Sequence, residues 1–197
     1  MSNAISMPKA SVSERKTVLK TIRLSESSAR SLQKEAEDEG TTINHLINSI
    51  VSQHYEWDKK ASESGFTSIH KSVLTALVEG LDDKTLARIG REVVPGWFGE
   101  MAEYWFQDSS PDRILDAISM RFKFNPLMRI EITKEGDNYT IILRHDLGPK
   151  WSILAEAAAR ELARKYFHVE PQTSRGESVV MGRFKANPAA ALTSSPR

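Results

Sequence analysis

The sequence predicts an α+β fold in two parts: a small unit of one strand and two helices at the N-terminus, followed by a larger unit in which helices pack on a small sheet. Three observations lead to this prediction. Residues 17–25 end in a period-2 alternation of apolar and polar side chains, and residues 26–60 then follow a helical period. Period-2 alternation returns at residues 127–145, after several further helical patterns.

Composition is that of a globular protein, with 40% apolar and 27% charged residues. The net charge of +1 favours no partner, because a local basic patch is enough to bind nucleic acid. The chain has no Cys, which excludes disulfides, thiolate metal sites and cysteine catalysis, and fits a cytoplasmic location. No apolar run approaches the roughly 20 residues of a membrane span, and no signal-peptide core is visible.

The strand at residues 17–25 is expected to find its partner on another chain. It places Ile22 and Leu24 on one face and Thr21 and Arg23 on the other. A lone strand is unstable, and no second strand follows nearby. We therefore expect it to pair with its own copy in a homodimer.

Two helices follow this strand. Ser25 is a good N-cap for the first, which ends at Gly40, and Thr41 or Thr42 caps the second, which is expected to reach about Lys60. The second helix carries an apolar stripe wider than one short neighbouring helix could cover, and this favours burial against a second subunit. The stripe consists of Ile43, Leu46, Ile47, Ile50, Val51, His54 and Tyr55.

Residues 21–27 (TIRLSES), 37–40 (EDEG) and 42–44 (TIN) resemble the ribbon-helix-helix family of DNA-binding proteins, the Arc and MetJ repressor type. The resemblance covers about residues 15–60. It implies that two strands form an antiparallel ribbon in the DNA major groove, where alternate side chains contact base edges. It also implies that the start of the second helix binds a phosphate.

The positions that match the base-reading face are Leu19, Thr21 and Arg23. Arg can bond guanine O6 and N7 together, and Thr offers a hydroxyl and a methyl group. Leu19 departs from the polar residue expected there, and either contacts a thymine methyl group or reads nothing. Candidate phosphate contacts are Lys16 and Lys20, with Thr41, Thr42 and Asn44 at the start of the second helix. The alternative for Thr21 and Arg23 is a solvated strand face, and for Lys16 and Lys20 a solvated charge.

The small polar stretch at residues 61–65 predicts a hinge between the two units. We expect a flexible arm at residues 1–13, a ribbon-helix-helix domain at 14–61, a linker at 62–67, a C-terminal domain at 68–186 and a disordered tail at 187–197.

The C-terminal domain is predicted to begin with helices and to end with β-β-α-β. A helix at residues 69–78 is followed by one capped by Asp82, with Leu86, Ile89 and Val93 inward, and Ser110-Pro111 starts another. Residues 127–145 form a hairpin, a helix follows from about residue 150, and residues 178–184 form a last strand.

His145, Asp146 and Lys150 lie together where a strand meets a helix, which makes them candidates for ligand binding. The alternative is a loop held by its own turn chemistry. No nucleophile motif accompanies them, so an enzyme is not expected. His45, His54, His70 and His168 show no metal-ligand spacing, and neither a metal nor a cofactor is predicted. The aromatic stretch at residues 97–106 is expected in a core or subunit contact, with a small-molecule pocket as the alternative.

These observations favour a cytoplasmic, homodimeric transcriptional regulator, a repressor type, that binds double-stranded DNA, with a tetramer as the alternative to the dimer. The C-terminal domain would bind a small-molecule or protein effector. Two alternatives stay open: an antitoxin-type DNA-binding protein whose C-terminal part binds a partner protein, and an enzyme that works at the His145 and Asp146 loop.

Overall fold

A computed structural model of the protein describes residues 18–186. The predicted arm at residues 1–13, the candidate phosphate ligand Lys16 and the predicted tail at residues 187–197 lie outside this part of the chain. The chain divides into two compact units, with the division between Ile47 and Asn48. The boundaries predicted around the linker at residues 62–67 stay predictions.

The first described segment and two helices make up the N-terminal part. Residues 18–25 form neither helix nor strand in the single chain. Helix α1 spans Glu26–Asp38 and α2 spans Ile43–Gln53, as the helical periodicity predicts. Ala36 and Leu46 are the buried residues of these two helices. The two helices therefore form as predicted, and the ribbon, which requires a second chain, stays a prediction.

Helical backbone continues past the predicted end near Lys60. A π-helical turn spans His54–Asp58, and α3 spans Lys59–Glu63. A π turn adds one residue to the local repeat, so it rotates the side chains that follow relative to the preceding face. Within this turn, the half-buried Trp57 packs edge-on to Phe66, with ring centroids 4.9 Å apart.

Four further helices precede the sheet: α4 (Lys71–Glu79), α5 (Asp83–Glu92), α6 (Val94–Phe106) and α7 (Pro111–Lys123). The predicted cap of α5 is confirmed, because the Thr85 backbone N donates to Asp82 Oδ1 at 2.9 Å. The prediction that Val93 faces inward is wrong: it is 56% exposed. Val93 lies at the junction between α5 and α6, where the direction of the chain changes and the periodicity of α5 no longer applies.

The main hydrophobic core of this region forms between α6 and α7. Both helices contribute side chains that are almost fully shielded from solvent. The cluster comprises Phe98, Met101, Ala102, Ile114, Ala117 and Ile118.

The sheet contains four antiparallel strands in the order β1-β2-β4-β3. They are β1 (Met128–Glu135), β2 (Asn138–His145), β3 (Gln172–Arg175) and β4 (Val179–Lys185). The predicted hairpin and last strand are confirmed, and the protein is α+β. The sequence analysis missed β3, because four residues of sequence QTSR carry no apolar alternation.

Helix α8 (Pro149–Phe167) connects β2 to β3 and packs on α5 and on the sheet. Two glycines allow close helix contacts. A Cβ atom on Gly90 would lie 2.3 Å from the Leu154 carbonyl oxygen, and one on Gly99 would lie 2.1 Å from Tyr166 Oη. Tyr166 Oη donates a hydrogen bond to the Pro95 carbonyl at 2.8 Å. The absence of a side chain at these two glycines therefore allows α8 to lie close to α5 and α6. Within residues 18–186, no helix is both long enough and apolar enough to cross a membrane.

Candidate functional site

The predicted base-reading residues Leu19, Thr21 and Arg23 all lie in the irregular segment before α1, and all are exposed. Leu19 is the most exposed of the large apolar residues, at 95%. Lys20, a candidate phosphate contact, is exposed in the same segment. In the single chain, these side chains are thus accessible to a partner.

Both ends of α1 have the hydrogen bonds that the sequence predicts. The Ser28 backbone N donates to Ser25 Oγ at 3.1 Å, which caps the start of α1. At the other end, Gly40 has a φ of +64°, and the Thr41 backbone N donates to the Ala36 carbonyl at 2.8 Å. This pairing satisfies a terminal carbonyl of α1 in a Schellman arrangement, which needs a left-handed residue such as glycine.

Thr42 caps the start of α2, because its Oγ1 accepts a hydrogen bond from the His45 backbone N at 3.1 Å. Thr41 is half-buried, whereas Thr42 and Asn44 are exposed. The first turn of a helix presents backbone N–H groups and the positive end of the helix dipole. Any capped helix start has these properties, so the phosphate contact stays a prediction.

The apolar stripe of α2 is only partly covered within the described part of the chain. Leu46 is buried, and Ile43 and Ile47 are half-buried. The C-terminal half of the stripe is open to solvent: Ile50 is 51%, Val51 49% and Tyr55 67% exposed.

His145 ends β2, Asp146 follows it and Lys150 lies in the first turn of α8; together they form a structural junction. His145 is buried, and its Nε2 lies 2.8 Å from Ser152 Oγ; burial lowers the pKa of this imidazole, while the nearby Asp146 carboxylate opposes that change. Asp146 forms an ion pair with Lys71. The Lys150 ammonium caps the end of α4 by donating to the carbonyls of Glu79 and Leu81, at 2.7 and 2.6 Å. These contacts explain the three side chains without a ligand, and their role in ligand binding stays a prediction.

A separate cavity of about 330 Å³ lies between the sheet and helices α5 to α8. Small-molecule sites in proteins commonly occupy about 300–1,000 Å³. The walls are almost entirely apolar. Representative lining residues are Trp97, Ile118, Ile141, Trp151, Ala158 and Gly182.

The cavity arises from small residues on two facing elements. Side chains directly opposite each other on antiparallel strands share one face of the sheet. Ile132, Ile141 and Gly182 form one such row, and a Cβ atom on Gly182 would meet no atom within 4 Å. On the covering helix α8, Ala155, Ala158, Ala159 and Ala163 line the same space. Glycine and alanine thus leave a volume that larger side chains would fill.

Arg121, near the end of α7, is the one charged residue among the described residues that line the cavity. Its guanidinium carbon lies 5.2 Å from the centroid of Trp57, 5.3 Å from Phe66 and 6.0 Å from Phe122. Within residues 18–186, it forms no ion pair and no side-chain hydrogen bond. Burial lowers the pKa of this guanidinium.

The sequence analysis did not identify Arg121 as a site residue. The aromatic stretch at residues 97–106 gave a partial signal, because Trp97 lines the cavity while Phe98 and Met101 belong to the core. Tyr104 is 56% exposed and donates to Glu63 at 2.8 Å. A row of alanines on α8 opposite Gly182 is a visible sequence feature, but it indicates a cavity only once the strand register is known.

Neither a scan against protein-family models nor a search of curated proteins found a match to this chain. Among residues 18–186, no group of three or more His, Asp or Glu side chains is arranged to hold a metal ion.

Proposed function

We propose that the protein is a homodimeric, sequence-specific DNA-binding regulator, in which two N-terminal segments pair as a ribbon in the major groove. The observation that supports this most is the state of residues 18–25 in the single chain. They have no regular secondary structure, and the alternating Ile22 and Leu24 are 56% and 44% exposed. Pairing with a second copy would satisfy the backbone of this segment and bury its apolar face.

The exposed half of the α2 stripe supports a dimer in the same way. Ile50, Val51 and Tyr55 lie at i, i+1 and i+5, on neighbouring positions around the helix and the π turn that follows it. Exposed apolar side chains that are scattered singly need no explanation, but a grouped set favours a protein contact. A second copy of the same helix carries the same stripe, which suits a two-fold contact.

The DNA contacts would divide into two kinds. Arg23 and Thr21 would read base edges, because a guanidinium can bond guanine at two points and a threonine offers both a hydroxyl and a methyl group. Lys20 and the capped start of α2 at Thr42 would bind phosphates. Sequence preference would then depend on the ribbon, and much of the affinity on salt-sensitive contacts.

The test is selection of bound DNA from a random pool, followed by affinity measurements on the selected site. The expected site is symmetric, with paired half-sites. Arg23→Ala is expected to leave the dimer intact and to lose about 1–3 kcal/mol of discrimination at one base position in each half-site.

Arg30→Ala is the matched control. Arg30 is an exposed arginine on α1, outside residues 18–25, and it pairs with Glu26 at 3.1 Å. Its loss should leave the selected sequence unchanged. An Arg23→Ala variant that selects the same sequence with the same discrimination would exclude the assigned base-reading role, and a wild-type protein that selects nothing would exclude the function itself.

A further inference from the structure

We infer that the cavity between the sheet and helices α5 to α8 binds a small carboxylic acid with an apolar tail, whose carboxylate pairs with Arg121. This inference does not rest on DNA binding. It rests on the size of the cavity, on its apolar walls and on Arg121, the charged residue among the described residues that line it.

The walls select an apolar tail. The sheet contributes Ile130, Leu143 and Val180 across one row, and the covering helix contributes Leu154 and Leu162. The volume of about 330 Å³ lies at the lower end of the range of about 300–1,000 Å³ that small-molecule sites occupy. A medium-length alkyl chain or a one- to two-ring aromatic group matches this size.

Arg121 selects a carboxylate head. A guanidinium carries five N–H donors, and a partly buried one is stabilised when carboxylate oxygens accept them. The rings of Trp57, Phe66 and Phe122 hold the guanidinium by cation–π contacts, but rings cannot replace in-plane hydrogen-bond acceptors. A carboxylate can accept two parallel hydrogen bonds from Arg.

The charge balance argues against a more highly charged head. Arg121 is the single charged residue among the described residues lining the cavity, so it can neutralise one negative charge. A phosphate dianion would bring a second charge into apolar surroundings without a partner, which is unfavourable. A neutral alcohol would leave the guanidinium without a counter-ion. A monocarboxylate brings a single negative charge and supplies the guanidinium with a counter-ion.

The first experiment compares decanoate with decan-1-ol, which has the same tail and no charge. Trp97 and Trp151 line the cavity, so their fluorescence reports occupancy directly, and calorimetry gives the stoichiometry. One decanoate is expected per chain, bound at least about tenfold more tightly than the alcohol, because hydrogen bonds to charged groups are the stronger ones. Equal affinities, or no binding of decanoate, would overturn the inference.

Arg121→Gln tests the head contact, with Arg113→Gln as its matched control. Arg113 is also on α7, and its guanidinium lies 5.3 Å from the Phe106 ring centroid, but it already pairs with Asp108 and Asp116. Arg121→Gln should weaken decanoate binding about tenfold or more and leave decan-1-ol unaffected. Arg113→Gln should change neither. Decanoate binding that Arg121→Gln leaves unchanged contradicts the assigned contact.

Gly182→Val tests the cavity without changing Arg121. If Arg121→Gln does not fold, this variant alone tests whether the ligand binds in the cavity. The valine side chain would enter open space from a strand, where β-branched residues are favourable. The variant should keep the circular dichroism spectrum of the wild type and melt at the same or a higher temperature, while decanoate and decan-1-ol both bind at least about tenfold more weakly. A folded Gly182→Val protein with undiminished decanoate affinity would place the ligand elsewhere and exclude the proposed site.

Discussion

The first two helices and the sheet region, residues 69–186, use apolar side chains differently. In the sheet region, residues such as Ile114 and Phe98 are 0% and 3% exposed, so they find their partners within the chain. In α1 and α2, only Ala36 and Leu46 are buried. The preceding segment and the end of α2 leave Ile22 and Ile50 more than half exposed. The sheet region thus buries its apolar side chains within the chain, whereas the N-terminal part leaves several of its apolar side chains exposed in the single chain.

The difference also separates two kinds of interaction surface. The sheet region keeps an internal cavity, whose shape depends on Gly182 and on alanines of α8. The N-terminal part instead presents its candidate DNA-contacting side chains, such as Arg23, on an exposed segment. Small ligands bind in concave preformed sites, whereas DNA is read by elements that protrude into a groove. If both proposals hold, the N-terminal part and the sheet region bind two different classes of partner.

The largest effect is expected from Ile50→Lys, which tests whether the exposed apolar stripe of α2 is a contact between two copies of the chain. If the α2 stripe is buried between two copies, each dimer gains two unpaired ammonium groups at its contact. Burial of an unpaired charge costs several kcal/mol, so the dissociation constant should rise at least about 100-fold, equivalent to about 2.7 kcal/mol. Analytical ultracentrifugation over a range of concentrations measures this.

Val93→Lys is the control for Ile50→Lys, because Val93 is exposed to a similar extent, 56% against 51%, but lies outside the stripe. It should leave the dissociation constant unchanged. A wild-type chain that stays monomeric at all concentrations, or an Ile50→Lys chain that dimerises as tightly as the wild type, would show that the exposed stripe is not a contact between copies.

The next largest effect concerns the sheet region, where Gly90→Ala tests how closely α5 approaches α8. The added methyl group would lie 2.3 Å from the Leu154 carbonyl oxygen, so the helices must separate. Overpacking of this kind costs about 1–3 kcal/mol of unfolding free energy, which urea denaturation measures. Gly96→Ala is the control: no atom lies within 4 Å of its added methyl group, and alanine in a helix is favoured by up to about 1 kcal/mol. Equal stabilities for the two variants would contradict the close packing.

Elements with a strong local signal were predicted well from the sequence. The caps at Ser25 and Asp82, the left-handed Gly40 and the hairpin at residues 127–145 each depend on a few neighbouring residues, and the structure confirms them. Local hydrogen bonds and side-chain period decide these features, and both are readable from one sequence.

Features that depend on distant contacts were not predicted. Strand β3 is a polar edge strand that forms because its backbone pairs with β4. Val93 is exposed because it lies where two helices meet. The cavity depends on Gly182 facing open space under α8, a juxtaposition of residues far apart in the sequence. The three aromatic rings around the Arg121 guanidinium come from different parts of the chain. Register and packing, rather than periodicity, decide such features.

A further prediction concerns pH and the buried His145 of the sheet region. Because burial places the folded-state pKa of His145 below its unfolded value of about 6.5, the unfolded chain takes up the proton first. The stabilisation is complete above about pH 6.5 and is lost as the pH falls towards the folded-state value. The free energy of unfolding should therefore decline over this range, and His145→Gln should flatten the decline. His45→Gln, which removes an exposed imidazole, is the control. A decline that persists undiminished in His145→Gln would assign it to other groups.

The smallest effect is expected from Ser25→Ala. This variant tests whether the stability of the N-terminal helices depends on dimer formation. The variant removes the oxygen that accepts from the Ser28 backbone N, at a cost of about 1 kcal/mol. Ser31→Ala, an exposed change within α1, should cost nothing, since alanine is the better helix former. If the irregular segment before α1 pairs only between chains, the lost stability should depend on protein concentration, because folding of this part and association are linked. Thermal unfolding at several concentrations measures this. A destabilisation independent of concentration would mean that the N-terminal helices, like the sheet region, are stable in the single chain.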